Sequence, residues 1–210
     1  MTTQKRREDR RIQRTRQVLQ QAFVEVIREK GLVPTSFREI EKHFAATSVQ
    51  EIANRANVNR GTFYLHFTDK YMLAEAVARE RFHQQLASML PPELRWDRKT
   101  LRLLIQALLT TFEGKYHHQH QPSLVIAPMV ERAIQEELTE LLLTWLKEAR
   151  KGRSHEPLET IARVVSWAMF GTALQWSQEE TTVPLAEMAD IISQVIMDGV
   201  ARLAPDALPE

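Results

Sequence analysis

The sequence predicts an all-α protein built in two parts. Apolar residues recur at helical spacing in successive segments from Ile12 to Val200, which is typical of amphipathic helices. Prolines punctuate these segments, because Pro91-Pro92 ends a helix and Pro157 begins one. Charge divides the chain as well: residues 1–70 hold 14 Lys+Arg against 8 Asp+Glu, whereas residues 71–210 hold 14 against 19. A basic head on an acidic body is expected where only the head meets a polyanion.

Bulk composition narrows the class of protein. The chain has 210 residues, of which 43% are hydrophobic and 26% are charged, as in an ordinary globular protein of one or two domains. It contains no cysteine, which excludes disulfides and thiolate sites and fits a reducing cytoplasm. The N-terminus lacks the apolar region of a secretory signal. The longest apolar stretch, Ile161 to Trp176, is short for a membrane span and contains Arg163. We therefore expect a cytoplasmic protein without a membrane segment.

The first predicted helix carries the basic end of the chain. Between Ile12 and Ile27 the apolar residues fall on one helical face. Lys30 and Gly31 then supply a basic last turn and a C-terminal glycine. Residues 1–11 contain five Lys and Arg side chains. They favour two alternatives, a solvated terminus or an arm that lies along phosphates or in a minor groove.

The stretch from Thr47 to Lys70 predicts a helix-turn-helix. Thr47 or Ser48 can cap a first short helix, and Ser48 with Glu51 forms a capping box. The segment Asn57-Val58-Asn59 ends this helix, because asparagine tolerates the left-handed conformation. A second helix follows from residue 60 to about residue 67, and it turns hydrogen-bond donors away from its apolar face. The donors are Arg60, Thr62, Tyr64 and His66.

The run EIANRANVNRGTFYLHFTDK, residues 51–70, resembles the signature of the tetracycline-repressor (TetR) family of transcription regulators. It contains a helix, a turn and the pattern G-T-[FL]-Y-x-[HY]-F-x-x-K. The resemblance implies a protein that binds double-stranded DNA with its second helix in the major groove and holds an effector in its body. Arg60 is the candidate for base contact, since its guanidinium group can donate hydrogen bonds to both O6 and N7 of guanine. The DNA-binding residues that the resemblance implies are Thr47, Ser48, Arg60, Gly61, Thr62, Tyr64, His66 and Lys70.

A duplicated segment separates this motif from the first helix. TSFREIEKHF at 35–44 aligns with TSVQEIANRA at 47–56, which predicts an inserted repeat at 35–46. The second copy is expected to be the functional one, because the first has Glu41 and Phe44 where a tight helix crossing needs alanine. The first copy is expected to form an extra helix that buries Phe37, Ile40 and Phe44. It either acts as a spacer or contacts DNA through Arg38, Lys42 or His43.

The body, residues 71–210, is predicted to contain five helices, the first beginning at the end of the head. Helical spacing and terminal signals place them from Lys70 to Pro91, from about Lys99 to Tyr116, after Pro128 to Lys151, from Pro157 to about Ser177, and from Pro184 to about Leu203. Residues 1–70 are thus the expected DNA-binding domain, and residues 71–210 are the expected effector-binding and dimerisation domain.

The last two helices predict self-association. The helix after Pro157 is apolar nearly all round, so it must be covered on more than one side. Few other elements are available, and a four-helix interface about a two-fold axis would cover it. The alternative is a core within one chain. The expected interface residues are Trp167, Ala168, Phe170, Gly171, Leu174, Ile192, Val195 and Ile196.

Aromatic and methionine side chains of the body could line an effector cavity, although most such residues simply form core. A mostly apolar lining would favour a hydrophobic or aromatic molecule. The candidates are Leu108, Phe112, Tyr116, Met129, Trp145, Met169 and Trp176.

Neither a metal site nor a catalytic site is expected. His117, His118 and His120 have no cysteine or acidic ligand nearby and favour a polar loop over zinc. The chain has no glycine-rich phosphate loop and no nucleophile elbow, so no cofactor is expected either. The sequence therefore predicts a homodimeric regulator, most simply a repressor released from a palindromic operator by a small molecule. The alternatives are an activator, and a helical binding or adaptor protein that keeps the fold without regulating promoters.

Overall fold

The fold is all-α in the part of the chain that the structure describes. The computed structural model describes residues 2–30, 44–91, 96–113, 126–149, 157–179 and 183–203. Over these residues it contains helices and no strand, which confirms the predicted fold class. None of these helices combines the length and the apolar character that crossing a bilayer requires.

Eight helices are present among the described residues, numbered here in chain order. They are α1 (Thr2–Lys30), α2 (Val49–Arg55), α3 (Arg60–His66), α4 (Lys70–Met89), α5 (Arg98–Phe112), α6 (Ile126–Ala149), α7 (Leu158–Gln178) and α8 (Leu185–Leu203). Three ends differ from the prediction. α6 begins at Ile126, before Pro128 and not after it, because the first turn of a helix tolerates proline. α1 begins at Thr2, well before Ile12. α5 ends at Phe112 and not at Tyr116, because Glu113 leaves the helical conformation with ψ of 129°.

The helices belong to two compact units. The head unit comprises residues 1–80 and 120–130, and the body unit comprises residues 81–119 and 131–210. The division falls inside α4, after Glu80. The expected domain boundary after residue 70 lies at the first residue of the same helix and stays a prediction.

An apolar cluster holds the head unit together. α2 and α3 have seven residues each, which is too short for a helix to be stable alone in water. They are held by packing against α1 and the first turns of α4. The buried cluster consists of Leu19, Ala22, Phe23, Phe44, Ile52, Ala56, Phe63, Phe67, Leu73, Ala74 and Val77. The geometry of the helix-turn-helix therefore depends on this core.

Phe44 anchors the end of the inserted repeat in this cluster. Its ring packs edge-on against Phe23, with centroids 5.9 Å apart, and against Tyr71, with centroids 5.0 Å apart. The side chain is buried, as the sequence predicts. The other residues of the repeat that were expected to be buried or to face DNA lie outside the described residues; they are Phe37, Arg38, Ile40, Lys42 and His43.

The body unit is organised around α5. This helix buries residues on nearly every turn, and α7 and α8 pack against it. Its buried leucine and isoleucine side chains are Leu101, Leu104, Ile105, Leu108 and Leu109, each worth roughly 1.5–3 kcal/mol of apolar burial. The Asp97 carboxylate caps the N-terminus of α5, because it accepts a hydrogen bond from the Thr100 backbone N–H at 2.8 Å.

Two polar contacts tie the second half of α4 to other helices of the body unit. Gln85 Nε2 donates to the Ala107 carbonyl of α5 at 2.9 Å. His83 Nε2 lies 2.6 Å from a carboxylate oxygen of Glu137 on α6. These contacts fix the second half of α4 within the body unit.

Candidate nucleic-acid interface

A capping box begins α2, as the sequence predicts. Ser48 Oγ accepts from the Glu51 backbone N–H at 3.2 Å, and the Glu51 carboxylate accepts from the Ser48 backbone N–H at 2.7 Å. Ser48 is thus the N-cap, and it is exposed. Thr47 is only 1% exposed. The expectation that Thr47 contacts a phosphate is therefore corrected, because its side chain is withdrawn into the head.

The turn between α2 and α3 depends on two asparagines. Asn57 has a φ of 53°, the left-handed conformation that asparagine adopts more readily than most residues. Asn59 then caps α3, because its Oδ1 accepts from the Thr62 backbone N–H at 2.7 Å and from Thr62 Oγ1 at 3.1 Å. The cap role of Asn59 is absent from the sequence prediction, although asparagine is among the preferred N-cap residues.

Small residues keep this crossing tight. Ala53 is fully buried in the helix-turn-helix, which agrees with a small side chain at this position. Gly61 is exposed, and a Cβ added to it would lie 3.1 Å from Asn59 Oδ1, the capping oxygen of α3. Gly61 thus leaves room for the cap and exposes the backbone of the first turn of α3.

α3 buries one face and exposes the other. Phe63 and Phe67 are buried in the head core. Leu65 is exposed on the opposite side, and Arg60 and Tyr64 are exposed at the edge of the buried face. Arg60 Nη2 donates to Tyr64 Oη at 3.0 Å, and the guanidinium carbon lies 5.4 Å from the centroid of the tyrosine ring. The two polar residues therefore form one preassembled group, which leaves several guanidinium donors for a ligand.

α1 fixes the C-terminal end of α3. Arg16 Nη1 donates to the His66 carbonyl at 2.9 Å, and its guanidinium carbon lies 4.4 Å from the centroid of the Phe67 ring. Burial, together with the positive charge of Arg16, lowers the pKa of His66 below its ordinary value. His66 is thus expected to be neutral at pH 7, so that it can offer a phosphate one hydrogen bond but no charge. The contribution of Arg16 has no local signal in the sequence.

Lys70 is held by carbonyl groups inside the head unit. Its ammonium donates to the backbone carbonyls of Phe44 at 2.8 Å, Ala45 at 3.2 Å and Thr47 at 2.9 Å, and it lies 4.7 Å from the centroid of the Phe44 ring. Three carbonyls use the three donors that an ammonium has. The predicted phosphate contact of Lys70 would require the ammonium to leave these partners.

A surface ion pair joins α2 to α1. The Arg55 guanidinium donates to both carboxylate oxygens of Glu29 and lies 3.6 Å from a carboxylate oxygen of Glu25. The hydrogen bonds from Arg55 hold the pKa of Glu29 below its usual value. This pair neutralises Arg55, which leaves Arg60 as the exposed cation of the two short helices.

The predicted dimer residues divide into two groups in the body unit. Trp167, Ala168 and Val195 are exposed, and Gly171 and Leu174 are half-buried, so these five are available to a partner. Phe170, Ile192 and Ile196 are 3–6% exposed and belong to the chain's own core; their assignment to the interface is corrected. Two further residues on the exposed faces of α7 and α8 were not predicted, namely Val164 and Ile191, which are 62% and 47% exposed.

The predicted cavity residues do not all lie in one unit. Five of them are buried in the body unit: Leu108, Phe112, Trp145, Met169 and Trp176. Met129 instead packs against the apolar cluster of the head unit, and Tyr116 lies outside the described residues. The indole N–H of Trp176 donates to the Val183 carbonyl at 2.9 Å. The indole N–H groups of Trp96 and Trp145 are buried and have no hydrogen-bond partner among the described residues.

No group of three or more histidines and carboxylates lies within reach of a common metal ion in the described ranges. The three histidines weighed for such a site, His117, His118 and His120, fall between these ranges.

The helix-turn-helix matches a known family model. Residues 40–77, which contain α2, α3 and the start of α4, match the model described as "Bacterial regulatory proteins, tetR family". Two Bacillus subtilis (strain 168) proteins are similar to part of the chain. The HTH-type transcriptional regulator YxbF is 32% identical over 107 residues, which cover 48% of this chain and 25% of that protein. The regulator YerO is 43% identical over 47 residues, which cover 22% of this chain and 16% of that protein.

A solved structure extends the likeness of the fold beyond the motif. The structure of RolR in complex with the ligand resorcinol has a TM-score of 0.52 and 18% sequence identity to this chain, and the alignment covers 96% of this chain and 98% of that one. At this identity the likeness concerns the fold. The family match shows that residues 40–77 have the helix-turn-helix of the TetR family of bacterial regulators, and beyond them the likeness to RolR is one of fold.

Proposed function

We propose that the protein is a homodimeric repressor that binds a palindromic DNA operator and leaves it when a small molecule binds the body. The observation that carries the proposal is the exposed face of α3. Arg60 and Tyr64 are hydrogen-bonded to each other there, and Phe63 and Phe67 anchor the helix in the head core. A short helix held this way can enter a major groove, which is wide enough to admit an α-helix.

The proposed DNA contacts are assigned to side chains of the helix-turn-helix that are exposed to solvent. Arg60 is the candidate for a base, because a guanidinium can donate to both O6 and N7 of guanine. Ser48 and Tyr64 are exposed and can donate hydroxyls to phosphate, and the half-buried Thr62 and His66 lie on the same helix-turn-helix. Such phosphate contacts would fix the position of α3, whereas the Arg60 contact would specify sequence. Lys70 and Thr47 are left out of this set for the reasons given above.

A dimer is supported by apolar side chains that the body unit leaves exposed. Val164 and Trp167 on α7 are 62% and 55% exposed, and Ile191 and Val195 on α8 are 47% and 68% exposed. Burying them against a second copy would remove this apolar surface from water. An isologous two-fold pairing would then present two α3 helices, which fits half-sites about 34–36 Å apart.

The effector is proposed to be a small aromatic or otherwise apolar molecule with a hydrogen-bond acceptor. RolR, which shares the fold, holds resorcinol, so a body of this architecture has room for a small ring. Trp145 offers a buried N–H without a partner, and leaving such a donor unpaired costs about 1–3 kcal/mol. An acceptor on the effector would remove this cost. Release from DNA then requires that the effector bind the DNA-free arrangement more tightly.

Selection of DNA from a random duplex pool by the purified protein tests the proposal. We expect an inverted repeat to be enriched, and we expect its affinity to fall steeply as salt concentration rises, because phosphate contacts release counterions. The variant Arg60→Ala should bind the enriched sequence less tightly and lose the preference at one base pair of each half-site, whereas Lys99→Ala, at an exposed lysine of the body unit, should retain both. Enrichment of no sequence, or equal enrichment by both variants, would refute the proposal.

A further inference from the structure

Leu65 is the most exposed large apolar side chain among the described residues. It is 83% exposed, whereas Phe63 and Phe67 on the other side of α3 are 0% and 1% exposed. Leu65 contributes nothing to the head core. A single exposed leucine on a protein surface is ordinary, but this one lies on the helix that the family uses to contact DNA.

The exposed face of α3 contains two parallel rows. Arg60 and Tyr64, four residues apart, form the polar row and are hydrogen-bonded to each other. Gly61 and Leu65, also four residues apart, form the second row. Side chains of an α-helix lean toward its N-terminus, so Leu65 leans over the turn that contains Gly61. Because Gly61 has no side chain, no neighbour in its own row covers Leu65, and the leucine side chain stays open to a ligand.

We propose that Leu65 contacts the C5-methyl group of a thymine in the operator, beside the base or phosphate that Arg60 contacts. The inference rests on the proposed function, since it names what one residue of the DNA-binding face recognises. Leucine cannot hydrogen-bond to a phosphate or to a base edge. The thymine methyl is the apolar group that the major groove presents, and cytosine, adenine and guanine do not have it. A chain with this face therefore prefers thymine at one defined position of each half-site.

Deoxyuridine provides the direct test, because it differs from thymidine only by the missing methyl group. The duplex enriched from the random pool is made with each thymine replaced in turn by deoxyuridine. Binding is measured for the unmodified protein and for Leu65→Ala. For the unmodified protein we expect one position per half-site where the replacement weakens binding about fourfold, which corresponds to about 0.8 kcal/mol for one buried methyl or methylene group. For Leu65→Ala we expect the same replacement to have no effect.

Control variants separate this contact from a change in folding. Alanine has a high helix propensity and the site is exposed, so Leu65→Ala should unfold at the same urea concentration as the unmodified protein. Leu65→Met keeps an apolar side chain and should keep the sensitivity to deoxyuridine. If an operator is enriched but no thymine is sensitive, or if both proteins are equally sensitive, the inference fails and the proposed function stands. If no DNA sequence is enriched, both fail.

Discussion

The ammonium nitrogen of Lys70 lies 2.8 Å from the carbonyl oxygen of Phe44, and it also donates to the carbonyls of Ala45 and Thr47. The carbonyls belong to the short segment that ends the inserted repeat and begins the helix-turn-helix, whereas Lys70 is the first residue of α4. The lysine therefore joins the entrance of the DNA-binding motif to the helix that leaves it. The phenylalanine ring beneath the ammonium adds a cation–π contact.

Replacing Lys70 by methionine should destabilise the head and leave the salt dependence of DNA binding unchanged. The substitution removes a charged donor from three carbonyls, and such a loss costs about 1–3 kcal/mol. Urea unfolding measures the stability, and a salt titration of operator binding measures the slope. The matched control is Lys99→Met, because Lys99 is exposed in the first turn of α5 and should change stability by less than about 0.5 kcal/mol. A salt slope flatter by about one would instead assign Lys70 to a phosphate.

The contrast between Lys70 and its neighbours shows what the sequence alone can establish. The capping box of Ser48 and Glu51 and the positive φ of Asn57 depend on residues only a few positions apart, so the sequence predicts them. The Lys70 contacts join residues 23 to 26 positions apart, and the Arg16 contact with His66 spans 50 positions. Nothing in the local pattern distinguishes a lysine bound to carbonyls from one free to meet phosphate.

The same limit applies to the body unit. Helical periodicity identifies which residues of α7 and α8 are apolar, but not which of them the chain covers itself. Phe170 and Ile196 are turned into the core, whereas Val164 and Ile191 remain exposed. Which apolar residues are buried depends on where α5 packs against α7 and α8. This packing joins distant parts of the chain, so local periodicity does not reveal it.

Arg60 and Tyr64 should act on DNA as a coupled pair. We expect Arg60→Ala to weaken operator binding by about 1–3 kcal/mol and to relax the preference at one base pair, provided that Arg60 contacts a base. Tyr64→Phe keeps the ring but removes the hydroxyl that accepts from the guanidinium, so it should weaken the same contact less. Because the two side chains touch, the effects of the double variant should not add. Additive losses spread evenly over all sequences would indicate separate phosphate contacts.

The stability of the head should fall in mild acid because of His66. Burial and the charge of Arg16 lower the pKa of His66, so the unfolded chain binds this proton more readily than the folded one. The stabilisation is therefore present above the unfolded pKa of about 6.5 and is lost as the pH falls through the lowered folded value. Urea unfolding at about pH 7.5 and pH 5.5 measures the loss. His66→Gln should lose less stability over this interval, and an equal loss in both proteins would exclude His66 as its source.

Introducing a charge on the exposed face of α7 or α8 should separate the proposed dimer. Trp167→Glu or Val195→Glu would place a carboxylate in an apolar interface, and we expect each to weaken association by about 2 kcal/mol or more, roughly thirtyfold. Sedimentation equilibrium measures the change. Gln194→Glu introduces the same charge at an exposed polar position of α8 and should leave the dimer intact. If the unsubstituted protein is already a monomer in this measurement, the prediction is wrong.

The buried indoles of Trp145 and Trp176 in the body unit give a matched test of the effector proposal. Trp145 has an N–H without a partner, whereas Trp176 donates to the Val183 carbonyl. Replacing either by phenylalanine removes similar volume, so the difference between the variants reports mainly on the hydrogen bond. Without effector, Trp176→Phe should lower the unfolding free energy by about 1 kcal/mol more than Trp145→Phe, because only the former breaks an existing bond. With small aromatic molecules that carry a hydroxyl or carbonyl acceptor, such as resorcinol, calorimetry should show weaker binding to Trp145→Phe than to Trp176→Phe. If both variants bind these molecules equally well, the Trp145 N–H has no part in effector recognition.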